Sequence, residues 1–241
     1  GTLLDTAASY CEGASEEVIG GLLAEHVDRR DLVLVSKAGV RTWRTGERGT
    51  VADASRGTLL DTLDDSLMRL GTDHIDLWLV QIPDPTTALE ETTDALRTAV
   101  TSGRARYVGL SNHPAWASVR AADLLAPGAA GTGPGLAAVE VEHSLVCRGI
   151  ERELVPAARA LGFGVITGRY RASTPPDSRG ASPHLRSYVA PYLGEPYVGV
   201  VEAVATAAAG LDRKPVEVAL AWARDAPGIA AAIVGARTPS Q

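Results

Sequence analysis

Short apolar runs alternate along this chain with longer segments whose apolar residues recur every three or four positions. The run Gly1 to Leu4 turns polar at Asp5, and Asp31 to Ser36 (DLVLVS) exits into Lys37. Ile75 to Val80 (IDLWLV), Arg106 to Leu110, Ala137 to Glu142, Phe163 to Ile166 and Ile229 to Val234 are of the same kind. Each has the length of a strand buried on both faces. Between them, Val18, Ile19, Leu22, Leu23 and Val27 follow Ser15 at helical spacing, with Ser15 read as the N-cap. Ser55 is read the same way before Leu59, Leu60, Leu63, Leu67 and Leu70, and Gly71 stops that helix. Further helices are expected over Leu89 to Thr101, from Pro114 to about Leu125, and over Glu151 to Leu161, Val198 to Gly210 and Pro215 to Arg224. Arg41 to Asp53 and Pro127 to Gly135 read as loops, and Thr167 to Pro196, with its many Pro, Gly and Ser residues, as a long irregular one.

Strand and helix alternate, and the connections are too long for hairpins. Parallel strands with right-handed crossovers are therefore expected. The pattern holds seven strands, one fewer than the eight of a closed barrel, so the sheet is open or a strand is absent. Polar residues recur at the strand exits: Asp5, Lys37, Gln81, Asn112 and Glu140. In a parallel barrel those exits open onto one face, where such enzymes place their chemistry. Asp5, with the phenol of Tyr10 on the loop beyond it, is the start of that rim. The plain alternative is an Asp that caps a turn and a Tyr packed over an edge.

Composition narrows the class. A chain of 241 residues with 45% hydrophobic content suits one globular domain over 1–241. No apolar run nears the roughly 20 residues of a membrane helix, so no membrane association is expected. A net charge of −6 argues against nucleic acid. Cys11 and Cys147 make no disulfide framework, which points to a cytoplasmic location. His26, His74, His113, His143 and His184 show no ligand spacing, so no metal site is expected. No leader is visible, and since Gly1 is not an initiator Met an upstream piece can be missing. Lys37 and Lys214 are the only lysines beside many arginines, which suggests that an ammonium is needed at Lys37.

Five segments in order, GTLLDTAASY with SEEVIG, then VSKAG, SLMRLGTDHIDLWLVQIPDP, GRARYVGLSN and IVGARTPSQ, resemble the aldo-keto reductase superfamily. The resemblance implies a (β/α)8 TIM-type barrel that binds NADPH and reduces aldehydes or ketones to alcohols. It maps the catalytic motif onto Asp5, Tyr10 and Lys37. Tyr10 would be the general acid, Lys37 would lower the phenol's pKa, and Asp5 would hold Lys37. The alternative for Lys37 is a surface lysine at a strand end. Gln81 stands just before Pro83-Asp84-Pro85, where most members carry His. Its amide can donate a hydrogen bond but cannot titrate, so it is expected to orient substrate. Potassium-channel β-subunit relatives also lack that His. Ser111 and Asn112 match the pair that holds the nicotinamide carboxamide, and Glu140 replaces the usual Gln beside them. A rim Arg is the alternative partner for Glu140. Gly235, Arg237, Thr238 and Gln241 resemble the phosphate-binding loop, with a solvated tail Arg as the competing reading.

By the same resemblance, the chain starts at the family's second strand, without the first strand-helix unit, and stops before the closing C-terminal helices. A Trp/Tyr-Ser-Pro-Leu segment that would follow Ile166 is absent, and Thr167-Gly168-Arg169-Tyr170 matches a later element. The expected function is NADPH-dependent reduction of a small carbonyl compound, a keto-sugar or another metabolite. The rival is a nucleotide-binding barrel with little turnover, acting as a redox sensor or regulatory subunit. Asp5, Tyr10 and Lys37 favour the enzyme, and Gln81, Glu140 and the missing segment favour the rival. A non-functional fragment, with exposed strand edges prone to association, is a third reading. The substrate and the oligomeric state stay open.

Overall fold

The computed structural model describes residues 2–42, 50–127, 133–168, 190–192 and 194–236. Its elements are β1 (Leu3–Asp5), α1 (Ala14–Glu25), β2 (Val33–Ala38), β3 (Val40–Thr42), β4 (Thr50–Ala52), α2 (Arg56–Leu70), β5 (Ile75–Val80) and α3 (Leu89–Thr101). There follow β6 (Ala105–Ser111), α4 (Ala115–Leu125), β7 (Ala138–Val141), α5 (Leu154–Leu161), β8 (Gly164–Gly168), α6 (Tyr197–Gly210), α7 (Pro215–Asp225) and β9 (Ala231–Ile233). The chain forms two compact units, Gly1–Val141 with Pro156–Gly164, and Glu142–Val155 with Val165–Gln241.

In the first unit β1, β2, β5, β6 and β7 lie side by side in that order, all parallel. Every residue of β5 is buried, β2 is buried from Leu34 to Ala38 and β6 from Val108 to Ser111, while β1 at the edge is only half-buried. Outside them, α2 turns Leu59, Leu63, Ser66 and Leu70 inward, the spacing of one helical face. Each fully buried Leu contributes about 1.5–3 kcal/mol by leaving water. In the second unit β8 pairs with β9 in parallel, Ile166 opposite Ala231.

Register carries the strand exits to one level. Asp5 lies opposite Val35, Lys37 opposite Leu79, and Ser111 opposite Glu140. Gly109 lets β6 and β7 approach there: a Cβ on it would stand 2.1 Å from Ala138 O and 2.8 Å from Leu79 Cδ2. At the opposite end of β5, buried Asp76 accepts from Leu34 N at 2.9 Å and pairs with Arg29 at 2.7 Å and Arg106 at 2.9 Å. Burial pushes this carboxyl up, but those donors outweigh it and hold it below the usual carboxylate range.

The expected strands and helices are present with shifted ends, and some local readings need correction. The Arg41 to Asp53 loop contains an antiparallel pair, Val40↔Ala52 and Thr42↔Thr50, whose strands are too short to show an alternation in sequence. Arg41 and Asp53 brace it at 2.9 Å. Ser15 is no N-cap: Gly13 occupies that place, and the Ser15 hydroxyl shares a 2.8 Å hydrogen bond with that of Thr6. Ser55 stands at its N-cap position, yet its hydroxyl donates to Asp53 Oδ1 at 2.6 Å. The helix expected from Glu151 begins at Leu154, after a 3-10 turn over Gly149–Glu151. Most of the loop expected over Thr167 to Pro196 lies outside the described residues.

Candidate active site

The segment after β1 keeps following β2. Thr6 N donates to Val35 O at 2.9 Å and Ala8 N to Lys37 O at 3.0 Å. This carries the chain past Lys37 before it turns at Tyr10–Gly13. In that turn Cys11, Glu12 and Gly13 take φ values of 51°, 56° and 96°. Three left-handed residues in a row need support from their surroundings. Arg69 lies against Gly13, where a Cβ would meet its Cδ at 2.9 Å. The same Arg69 donates to buried Glu16 at 2.8 Å, and Glu16 accepts from Ser36 Oγ at 2.6 Å. The left-handed turn is thereby tied to β2, the strand that bears Lys37.

Lys37 is the centre of the cluster, with its side chain 1% exposed. Its Nζ donates to Asp5 Oδ1 and Oδ2 at 2.6 and 2.7 Å and to Thr6 O at 3.0 Å. It also lies 3.5 Å from the Tyr10 hydroxyl, 5.2 Å from the centre of that ring, and 3.3 Å from Glu140 Oε1. Tyr10 is 40% exposed, so the phenol has one side on the ammonium and another open. Beside it Ser9 Oγ donates to Gln81 Oε1 at 2.8 Å. Asn112, with φ 58°, donates from Nδ2 to Gln81 O at 3.1 Å and to Ser111 Oγ at 3.0 Å. Its backbone N–H bonds Glu140 O at 2.8 Å.

Burial governs the protonation of this group. Desolvation pushes the Tyr10 phenol up; Lys37 pulls it down, but Asp5 and Glu140 oppose Lys37 and the net shift is upward. Lys37 thus acts on the phenol in the expected direction, but burial, aided by Asp5 and Glu140, outweighs it and leaves the net pKa raised rather than lowered. Lys37 itself is raised, because Asp5, Glu140 and Tyr10 together overcome the burial that disfavours its charge. Asp5 is raised, its burial outweighing its bonds to Lys37. Glu140 is raised to about 7 by burial, relieved in part by Lys37 and reinforced by Asp5.

The structure thus brings Asp5, Tyr10, Lys37 and Glu140 together, with Gln81, Ser111 and Asn112 alongside. Glu140 faces Lys37 rather than a rim arginine, and Lys37 is no surface lysine. Gly235 is exposed, and Arg237, Thr238 and Gln241 lie outside the described residues. His113 is buried with Nδ1 against Ser111 O at 2.8 Å, and burial lowers its pKa. Sequence reasoning passed over Thr6, Ser9 and Glu16. A carboxylate in a helix's first turn reads as capping, and nothing in sequence marked Glu16 as buried. Among the described residues no cluster could hold a metal ion, and no helix is long and apolar enough to cross a membrane.

Acid and base groups gathered at the exits of parallel strands are the layout of a β/α-barrel enzyme. The chain belongs to the aldo/keto reductase family, whose model matches residues 1–241. Aldo-keto reductase YhdN of Bacillus subtilis is 27% identical over 100% of this chain and 72% of its own length. The Escherichia coli protein Tas is 29% identical over 99% of this chain and 78% of its own. A probable voltage-gated potassium channel subunit beta from Oryza sativa is 27% identical, over 98% and 74%. The solved glycerol dehydrogenase of Gluconobacter oxydans superposes with a TM-score of 0.79 at 22% identity, covering 99% of this chain and 73% of that one. That likeness is one of fold, the α/β barrel. The family is one of oxidoreductases that use a nicotinamide cofactor on small carbonyl compounds.

The strand exits fit such a cofactor. Glu140 lies opposite Ser111 in the β6–β7 register, and its Oε2 is buried with no hydrogen-bond partner. A buried polar oxygen left unsatisfied is rare and calls for a partner such as a carboxamide.

Proposed function

We propose that this protein binds NADPH and reduces an aldehyde or ketone to an alcohol, with Tyr10 as general acid. The observation that carries this reading is the Tyr10 hydroxyl 3.5 Å from a buried Lys37 ammonium that Asp5 grips with both oxygens. When bound, the nicotinamide supplies hydride to the carbonyl carbon. Tyr10 then gives its proton to the carbonyl oxygen, and the adjacent Lys37 ammonium stabilises the phenolate left behind. Asp5 keeps Lys37 charged and aimed at Tyr10. Gln81, its Oε1 tied to Ser9, has amide N–H groups to orient the carbonyl oxygen. Ser111, Asn112 and Glu140 would hold the carboxamide. Arg237, with Gly235, Thr238 and Gln241, would hold the extra ribose phosphate, a geometry that suits guanidinium. The free cysteines fit a reducing cytoplasm.

The test is a fluorescence titration with NADPH and NADH, followed by turnover of a panel of small aldehydes and ketones. Tyr10→Phe is expected to keep the nucleotide affinity and lose about 10²–10⁴-fold in turnover. Equal turnover by Tyr10→Phe would remove the acid role. Gln81, which cannot relay a proton, favours one second reading, a redox sensor or regulatory subunit. Saturable NADPH binding without turnover of any carbonyl would select it, and a folded chain that binds no nucleotide would exclude both.

A further inference from the structure

Lys37 Nζ stands between two groups that exchange protons, the Glu140 carboxyl at 3.3 Å and the Tyr10 hydroxyl at 3.5 Å. A third, Asp5, already satisfies the ammonium with both of its oxygens. With both acids ionised the buried cluster would hold two negative charges against one positive. Burial disfavours that surplus, as when two carboxylates share one site. Glu140 is the acid placed to give way. Asp5 has the two short bonds to Nζ, whereas Glu140 has one long contact and a buried Oε2 that meets no donor. With one oxygen meeting no donor, the Glu140 carboxylate has less to stabilise its charge than Asp5 has, so the shared proton goes to Glu140. The titratable groups acting on Glu140 are Asp5 from β1, Lys37 from β2 and Tyr10 from the turn beyond β1. From β5 and β6 come the uncharged Gln81, Ser111 and Asn112.

We propose that Glu140 is the proton store of this site: a neutral carboxylic acid that recharges Tyr10 through Lys37 after each reduction. The inference rests on the acid role proposed for Tyr10. Once Tyr10 has given its proton to the substrate oxygen, the phenolate takes a proton from Lys37 Nζ. The resulting amine takes the proton of Glu140, which a half-turn of the carboxyl about Cγ–Cδ brings to Nζ. One O–H bond of Glu140 breaks, one O–H bond of Tyr10 forms, and Lys37 ends as it began. The transfer runs downhill, because a carboxyl is a far stronger acid than a phenol. Glu140 regains its proton from water, to which its side chain is 14% exposed. In the neutral form it also offers one donor and one acceptor, as an amide would, and so suits a carboxamide as the ionised form does not.

The experiment compares the full chain with Glu140→Gln in two readouts. Carboxyl-carbon NMR of the nucleotide-free protein is expected to show one side-chain carboxyl titrating near neutrality, absent from Glu140→Gln. Above that midpoint the wild-type turnover number at saturating NADPH and carbonyl is expected to fall about tenfold per pH unit, while Glu140→Gln stays level. If every carboxyl is ionised by pH 5, or the two turnover profiles run parallel, the proposal is overturned and Tyr10's role stands. If neither protein turns over at any pH, the reductase reading falls and delivery to Tyr10 falls with it.

Discussion

Burying an ionised Glu140 has a price in stability, which Glu140→Gln would lift. The carboxyl moves from 4.5 to about 7 on folding because burial and Asp5 outweigh Lys37. A raised acid favours the folded state below its unfolded pKa and loses that contribution as pH climbs through the folded value. At about 1.4 kcal/mol per pH unit, the shift corresponds to roughly 3 kcal/mol above pH 8, and the side chain is too buried for solvent to screen much of it. Gln keeps the shape and has no charge to bury. At pH 8.5 Glu140→Gln should therefore be more stable than wild type by roughly 3 kcal/mol, about 6–12 °C in Tm for a chain of this size. At pH 4.5 the two should nearly coincide. Urea and thermal unfolding across pH 4.5 to 9 measure the gap directly. A gap that does not change with pH, or a variant less stable at pH 8.5, would refute the account of Glu140 as a strained acid.

Two other substitutions probe the frame rather than the chemistry. Asp76→Asn should lose about 1.5–3 kcal/mol at neutral pH, since charged bonds to Arg29, Arg106 and Leu34 N become neutral or vanish. Because Asp76 is held low, that stability is present above about pH 4 and fades as pH falls through the folded value, so acid unfolding curves of variant and wild type should converge. Gly109→Ala should lose about 1–3 kcal/mol by overpacking against Ala138 O and Leu79. By prising β7 from β6 it should also move the carboxyl titration of Glu140, which the same NMR series would show.

How far the sequence could be read depended on how local each cause is. The runs IDLWLV and DLVLVS and the leucine stripe of α2 record burial on one or two faces of a single element, so β2, β5 and α2 were legible. Asp5, Tyr10 and Lys37 were legible as candidates because polar residues at strand exits and a familiar order of segments pointed to the same positions. The β3–β4 pair was not, since three-residue strands have no period to detect. Glu16 and Asp76 were not, since their partners Arg69, Ser36 and Arg29 lie far along the chain. The direction of the Tyr10 shift was hidden for the same reason. It turns first on how deeply the phenol is buried and then on how Lys37, Asp5 and Glu140 act on it, and only the assembled strands set that.

Lys37 and Lys214 lie at opposite extremes of accessibility, one sealed inside the cluster and the other on the surface. An acylating reagent should meet Lys214 at once and Lys37 only when the cluster around its ammonium opens. Once acylated, Lys37 can no longer neutralise Asp5, so the cluster cannot re-form and every opening that is trapped leaves a permanent mass increment. The ratio of the two adducts over time is a clock for the breathing of the site, and any ligand that covers Tyr10 should slow only one of its hands.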